Sequence, residues 1–185
     1  ATVARIELAL RDASAPGFSA ASATGGLTIT EDAVQDLVLT LERPGGEIRV
    51  AGAVPLSPRG AELALAIDAR DWPLDEARPW LPAAVAAWPL GGAFSGRVTV
   101  AGASEALRGT VDGRLADAVW GEGTGFGPGR LRLGDLATRF AFDAERLTLE
   151  YAMLSTSAGE ATLSGTIGFA RGDLDLKLEA PSMAL

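Results

Sequence analysis

The residues that could do chemistry are few, and the acidic run near the middle of the chain is the densest group of them. A calcium site or a pair of catalytic carboxylates could be built from Asp68, Arg70, Asp71, Asp75, Glu76 and Arg78. A calcium loop of the EF-hand type needs oxygen ligands at alternate positions and a closing glutamate, and this spacing does not provide them. Acidic residues are favoured in the first turn of a helix. The run therefore predicts a solvated helix start.

The residue types that serve as nucleophiles, bases and metal ligands are largely missing. The 185 residues include no histidine and no cysteine, which excludes Ser-His and Cys-His catalysis and zinc sites that use these ligands. Lys177 lies mid-strand without a Ser-x-x-Lys context. The glycine-rich stretch 121–129 lacks the spacing of a phosphate-binding loop. We expect no enzymatic activity, no metal and no cofactor.

The composition adds further exclusions. The net charge of −8 disfavours a nucleic-acid partner, because phosphate contacts need a basic surface. The apolar fraction of 48% and the mean hydropathy of +0.20 are high for a protein in water. The uncharged stretch 79–96 contains three prolines and a Gly-Gly pair, which would break a membrane-spanning helix. The apolar surplus must be hidden in another way.

Apolar residues alternate with polar ones over most of the chain, as in Leu63, Leu65 and Ile67. A period of two with one polar face is typical of half-buried antiparallel strands. We predict an all-β fold of about ten to twelve strands, joined by tight turns at 43–46, 57–60 and 170–173.

One stretch departs from this alternation. Residues 71–89 are rich in Trp, Pro and Ala, and Pro82 followed by Ala83–Trp88 favours one or two short helices. Its three tryptophans are Trp72, Trp80 and Trp88. They could form a gate or a membrane-interface contact, or a hydrophobic plug at one end of the sheet. We favour the plug, because the preceding acidic residues would be repelled by an anionic membrane.

Two parts of the chain resemble each other. The region around Gly52 matches the region around Gly165, 113 residues later, and past the next turn Leu65 matches Leu176, 111 residues later. A turn shorter by two residues explains the change, although alternation in two ordinary hairpins could also produce the similarity. We interpret residues 1–185 as a single segment of a longer repeat array. Its parts are repeat 1 (about 33–90), an intermediate meander (about 91–136) and repeat 2 (about 137–185).

A short motif, apolar-x-Gly-x-apolar, recurs at 50–54, 94–98, 107–111 and 163–167. Together with the Asp-Trp-Pro-Leu and Pro-Trp-Leu-Pro segment, it resembles the TamB/AsmA-like proteins of Gram-negative bacteria, which belong to the repeating β-groove, or bridge-like, lipid-transfer group. The resemblance implies a curved antiparallel sheet that forms a U-shaped, taco-like groove with an apolar interior. It also implies an inner-membrane anchor, a periplasmic location, phospholipid transfer toward the outer membrane, and for some members an outer-membrane TamA-like partner.

The predicted lining of this groove is the set of alternating apolar residues. It consists of Ile6, Leu8, Leu10, Leu37, Leu39, Leu41, Ile48, Val50, Val54, Leu56, Leu63, Leu65, Ile67, Phe94, Val98, Val100, Leu107, Val111, Leu115, Phe140, Phe142, Leu147, Leu149, Tyr151, Leu163, Ile167, Phe169, Leu174, Leu176 and Leu178. The glycines at positions 52, 96, 109 and 165 share this face. They would either admit a ligand or relieve sheet curvature.

Three functions fit this interpretation. The first is a segment of a periplasm-spanning conduit whose groove carries phospholipid acyl chains between the inner and outer membranes. The second is an outer-membrane protein assembly factor or chaperone that acts by β-strand augmentation. The third is an extracellular β-solenoid adhesin, which the uneven repeat spacing disfavours.

Overall fold

The fold is a single antiparallel β-sheet. A computed structural model describes residues 2–15, 18–57, 62–77, 90–103, 106–121, 131–157, 159–169 and 172–181. These residues form eleven strands, each hydrogen-bonded to the strands before and after it in the chain. The predicted all-β antiparallel fold is confirmed.

The strands are long, and one short helix follows the fifth of them. The strands are β1 (Thr2–Ala15), β2 (Phe18–Thr30), β3 (Ala33–Arg43), β4 (Gly46–Pro55), β5 (Leu63–Pro73), β6 (Leu90–Gly102), β7 (Arg108–Trp120), β8 (Leu131–Phe142), β9 (Arg146–Thr156), β10 (Gly159–Gly168) and β11 (Leu174–Glu179). The turn between β3 and β4 is tight because Gly45 adopts a φ of +84°, which glycine tolerates without steric cost. The helix α1 (Leu74–Ala77) has Asp75 and Glu76 in its first turn, as the acidic run predicted.

Part of the predicted helical break cannot be compared with the structure. Residues 78–89 lie outside the described residues, and with them Trp80, Trp88 and the Ala83–Trp88 run. The glycine-rich stretch lies outside them as well, except for Gly121.

The sheet is one layer thick and is not closed. No pairing joins β1 to β11 among the described residues, and this open sheet is consistent with a curved groove. Very little of it is buried: in the described ranges the buried hydrophobic residues are Ala20, Ala23, Ala33, Trp72, Leu115 and Ala118. Most apolar side chains are therefore covered only by their neighbours on the same face.

β-Bulges interrupt the regular pairing of several strands. Asp36 in β3, Asp71 in β5 and Asp117 in β7 have φ values of 51°, 48° and 50°, and each lies at a register shift. A fourth shift surrounds Glu150 in β9. A bulge inserts one extra residue, which bends the strand and changes the face on which the following side chains lie.

The two matched regions have equivalent local geometry. Gly52 and Gly165 have φ values of +144° and +136°. Leu56 donates its N–H to the Asp32 carbonyl, and 113 residues later Phe169 donates to the Glu145 carbonyl, both at 2.8 Å. The internal repeat remains a prediction, and this equivalence is an independent observation in its favour.

Candidate functional site

An apolar row crosses the entire sheet from edge to edge. Paired residues of neighbouring strands share a face, so the row can be followed through the pairing register. It passes through Leu8, Gly25, Leu39, Val50, Ile67, Val98, Val111, Phe140, Leu149, Gly165 and Leu176. We call this the middle row. Every member is glycine or an aliphatic or aromatic residue.

Two flanking rows widen this surface. On one side lie Leu10, Ala23, Leu41, Ile48, Ala69, Gly96, Gly113, Thr138, Ala152, Leu163 and Leu178. On the other side lie Leu37, Gly52, Leu65, Val100, Gly109, Phe142, Leu147, Ile167 and Leu174. The three rows contain no charged residue, and we call the surface they define the apolar face.

Most of the predicted lining residues lie on this face, and Tyr151 lies on the opposite one. Tyr151 is paired with Arg139, on the opposite face. The prediction that it shares the face of Leu147 and Leu149 is wrong, because the bulge at Glu150 reverses the alternation. Leu56, Leu107 and Phe169 lie outside the paired strands.

The apolar face is most exposed at the two edges of the sheet. Leu10 on β1 is 47% exposed, and Leu174 and Leu178 on β11 are 66% and 69% exposed. Each edge strand has a neighbour on one side only, so its side chains lose less contact with water. The apolar surface therefore continues undiminished to both edges.

The glycines of the apolar face mark places where strands approach closely. A Cβ atom on Gly52 would lie 1.9 Å from the Ala64 carbonyl oxygen, and one on Gly96 would lie 2.4 Å from that of Asp112. At Gly109 the ring of Phe142 occupies the space above the backbone, 2.6 Å from such an atom. This geometry supports the curvature interpretation of these glycines.

One end of the apolar face is closed. Trp72 pairs with Phe94, and Phe94 with Leu115, so these residues extend the face beyond the flanking row. Trp72 is only 2% exposed and Leu115 5%, and within the three rows only Ala23, at 3%, is as deeply buried. The plug stays a prediction, because Trp80 and Trp88 lie outside the described residues.

A positive charge lies beside this closed end, and the sequence analysis missed it. Arg43 continues the alternation of Leu39 and Leu41, so the period alone could have placed it on the apolar face. Its guanidinium lies 5.6 Å from the centre of the Trp72 ring, within cation–π range. It also forms an ion pair with Glu76 of α1.

The opposite face of the sheet is polar and carries a ladder of alternating charges. Across six consecutive strands the ladder consists of Arg49, Asp68, Arg97, Asp112, Arg139 and Glu150. Arg97 donates two hydrogen bonds to Asp68, at 2.6 and 2.9 Å. These bonds hold the pKa of Asp68 below its ordinary value and raise the pKa of Arg97. Each such exposed pair adds little stability. Together the pairs favour this register, because a shifted register would separate the opposite charges.

The described residues hold no cluster of acidic, His or Cys side chains that could bind a metal. Within the same ranges, no helix has the length and apolarity needed to cross a membrane. Comparisons of the chain with models of known protein families, with curated proteins and with solved structures found no significant match. Membership of the TamB/AsmA-like group therefore remains a prediction.

Proposed function

We propose that the apolar face carries phospholipid acyl chains, and that the chain is one segment of a conduit between the inner and outer membranes. The observation that supports this most strongly is the middle row. Eleven strands in sequence order span ten inter-strand spacings, or about 48 Å at about 4.8 Å each. The middle row is thus longer than the hydrocarbon core of a bilayer is thick, which is roughly 30 Å, so an acyl chain can lie along it.

The chemistry of the face suits a cargo that must move. Acyl chains gain roughly 25 cal/mol for each Å² of apolar surface removed from water, and this gain has no preferred direction. Because the three rows offer no charged group, a chain can slide from one strand to the next without breaking strong polar contacts. A compact sandwich would bury this face against a second sheet, and the described residues form one sheet only.

The setting of the conduit follows from the resemblance to the TamB/AsmA-like group. We place it in the periplasm, in a protein anchored in the inner membrane that reaches toward the outer membrane, with neighbouring repeats and a TamA-like protein as partners. Fractionation of cells that express the tagged full-length protein tests this location. Recovery in the cytoplasm would contradict it.

Lipid analysis of the purified protein tests the proposed function. Native mass spectrometry should show adducts with the mass of phospholipids, and extraction into organic solvent should release the same lipids. A chain that is lipid-free after gentle purification, and that takes up no lipid from phospholipid vesicles, would contradict the proposal.

A second candidate function is assembly of outer-membrane β-proteins by strand addition. The observation that favours it is the edge of β1, a 14-residue strand whose pairing within the described residues is with β2 alone. An unpaired strand edge can accept a further strand. A proline at Ala9 should abolish such pairing while leaving lipid binding unchanged, so the two functions can be separated.

A further inference from the structure

Arg43 lies at one end of an otherwise apolar surface. It lies two positions beyond Leu41 on β3, or roughly 7 Å along the strand from the flanking row. Beyond the rows lies Trp72, which is only 2% exposed. An acyl chain that lay along β3, over Leu37, Leu39 and Leu41, would bring a head group at its end to Arg43.

We propose that Arg43 binds the phosphate of a lipid whose acyl chains lie on the apolar face, and that Glu76 takes this place when the lipid is absent. The inference rests on the proposed function and adds to it a contact that selects the head group. The carboxylate of Glu76 already accepts a hydrogen bond from the guanidinium of Arg43, so an anion can approach this side of Arg43.

The Arg43–Glu76 ion pair is suited to exchange of the Glu76 carboxylate for another anion. The side chains of Arg43 and Glu76 remain 25% and 29% exposed, so an incoming anion can reach them. The second carboxylate oxygen of Glu76, Oε2, is buried and has no hydrogen-bond partner among the described residues, and desolvation of an oxygen without a partner is uncompensated. The helix that carries Glu76 spans the four residues Leu74–Ala77.

A phosphate can pair with Arg43 in the same way as the carboxylate of Glu76. The guanidinium donates in a planar fork, which pairs with two phosphate oxygens at once. The guanidinium also lies 5.6 Å from the centre of the Trp72 ring, within the range of a cation–π interaction. Release of Glu76 would return its buried oxygen to water, so lipid binding and opening of α1 would favour each other.

Two lipids that differ only in the phosphate test the inference. Dioctanoyl phosphatidic acid and dioctanoylglycerol have the same chains, and their dissociation constants are measured on the whole chain by tryptophan fluorescence. We expect the phosphate lipid to bind wild-type protein roughly tenfold more tightly. Arg43→Gln should abolish this preference, and Glu76→Gln should strengthen it severalfold without affecting dioctanoylglycerol. Inorganic phosphate alone should compete only weakly, because it lacks the chains.

Two further variants separate this effect from loss of structure. Glu47→Gln removes the partner of Arg70 in an exposed ion pair and should leave both constants unchanged. Arg43→Lys retains the charge without the fork and should restore part of the preference in a folded protein, as judged by circular dichroism. Equal binding of both lipids in every variant would overturn the anion site and leave the proposed function intact. Binding of neither lipid by wild-type protein would overturn both.

Discussion

Glycine at positions 52 and 165 is a requirement of the backbone. Both residues have a φ that L-amino acids rarely adopt, and both face a carbonyl oxygen of the next strand, at 1.9 and 2.0 Å from a Cβ atom built on them. Conformation and contact act together, so a side chain would force the two strands apart. These positions set how closely β4 and β10 pack against their neighbours.

Gly52→Ala should destabilise the protein by about 2–4 kcal/mol, because it adds steric overlap to an unfavourable φ. Gly45→Ala is the matched control. It also lies at positive φ but has no atom within 4 Å of its Cβ, so it should cost only about 1 kcal/mol. Urea unfolding followed by circular dichroism gives both values. Equal losses would show that the contact with Ala64 is unimportant.

Asp143 stabilises the turn before β9 in a pH-dependent way. Its Oδ1 accepts hydrogen bonds from the backbone N–H groups of Glu145 and Arg146, at 2.8 and 2.9 Å, and these lower its pKa. A pKa that is lower in the folded state adds stability above the unfolded value, near 3.8. That stability is lost as the pH falls through the folded value.

Asp143→Ala should therefore lower the melting temperature at pH 7, and the difference from wild type should shrink below about pH 4. Asp143→Asn serves as the control, because its amide oxygen still accepts these bonds without titrating. Thermal melts over a pH series provide the measurement. A difference between Asp143→Ala and wild type that stays constant down to pH 2 would argue against this role.

At the scale of the strand, the bulge at Asp71 places Trp72 on the apolar face. Ala69 pairs with Gly96, whereas Trp72 pairs with Phe94, so one residue is inserted between them. If Arg70 and Asp71 did not share one position opposite Ser95, strict alternation from Leu65, Ile67 and Ala69 would turn Trp72 to the polar face. The backbone N–H of Asp71 donates to Ser95 Oγ, and that hydroxyl donates to Asp71 Oδ1. These bonds fix the position of the bulge.

Deletion of Arg70 and Asp71 together should move Trp72 to the polar face, opposite Ser95, and cost about 3 kcal/mol or more from its lost burial. Asp71→Gly should retain the bulge and change stability by less than about 1 kcal/mol, because glycine adopts this φ readily. With the other tryptophans replaced by phenylalanine, acrylamide quenching of Trp72 distinguishes the two outcomes. An emission that stays protected after the deletion would contradict the assignment.

Features that depend on pairing between strands could not be predicted from the sequence. The period of two predicts the face of the sheet on which each side chain lies. Between Ile6 and Leu178 this prediction holds wherever the strands are regular. It failed at Tyr151, because a bulge depends on pairing between strands and leaves no trace in the alternation of one strand. The pairing of Arg43 with Glu76 joins residues 33 positions apart, and only the folded sheet brings them together.

At the scale of the whole molecule, much of the apolar face stays exposed, so the sheet lacks the hydrophobic stabilisation that burial of this face would add. A two-layer protein buries its apolar face against a second layer, whereas here Leu10, Leu174 and Leu178 remain between 47% and 69% exposed. A bound acyl chain would supply part of the missing burial. Because a ligand that binds the folded state stabilises it, lipid content and melting temperature should rise together.

Leu65→Arg tests this link at the centre of the face. Leu65 lies on the flanking row between Gly52 and Val100, and a guanidinium there would have to lose water wherever an acyl chain covered it. We expect the variant to keep its strand content, to carry several times less co-purified phospholipid, and to gain little thermal stability when lipid is added. Leu176→Arg, at the β11 edge, should block lipid passage in the same way at a smaller cost in stability.

Ala66→Arg is the matched control, since Ala66 pairs with Ala51 and Thr99 on the polar face. It adds the same charge one residue away and should retain normal lipid content and normal stabilisation by lipid. A folded Leu65→Arg protein with as much phospholipid as the Ala66→Arg protein would mean that acyl chains do not lie on this face. The apolar rows would then need a different partner, and the conduit proposal would fail at its central step.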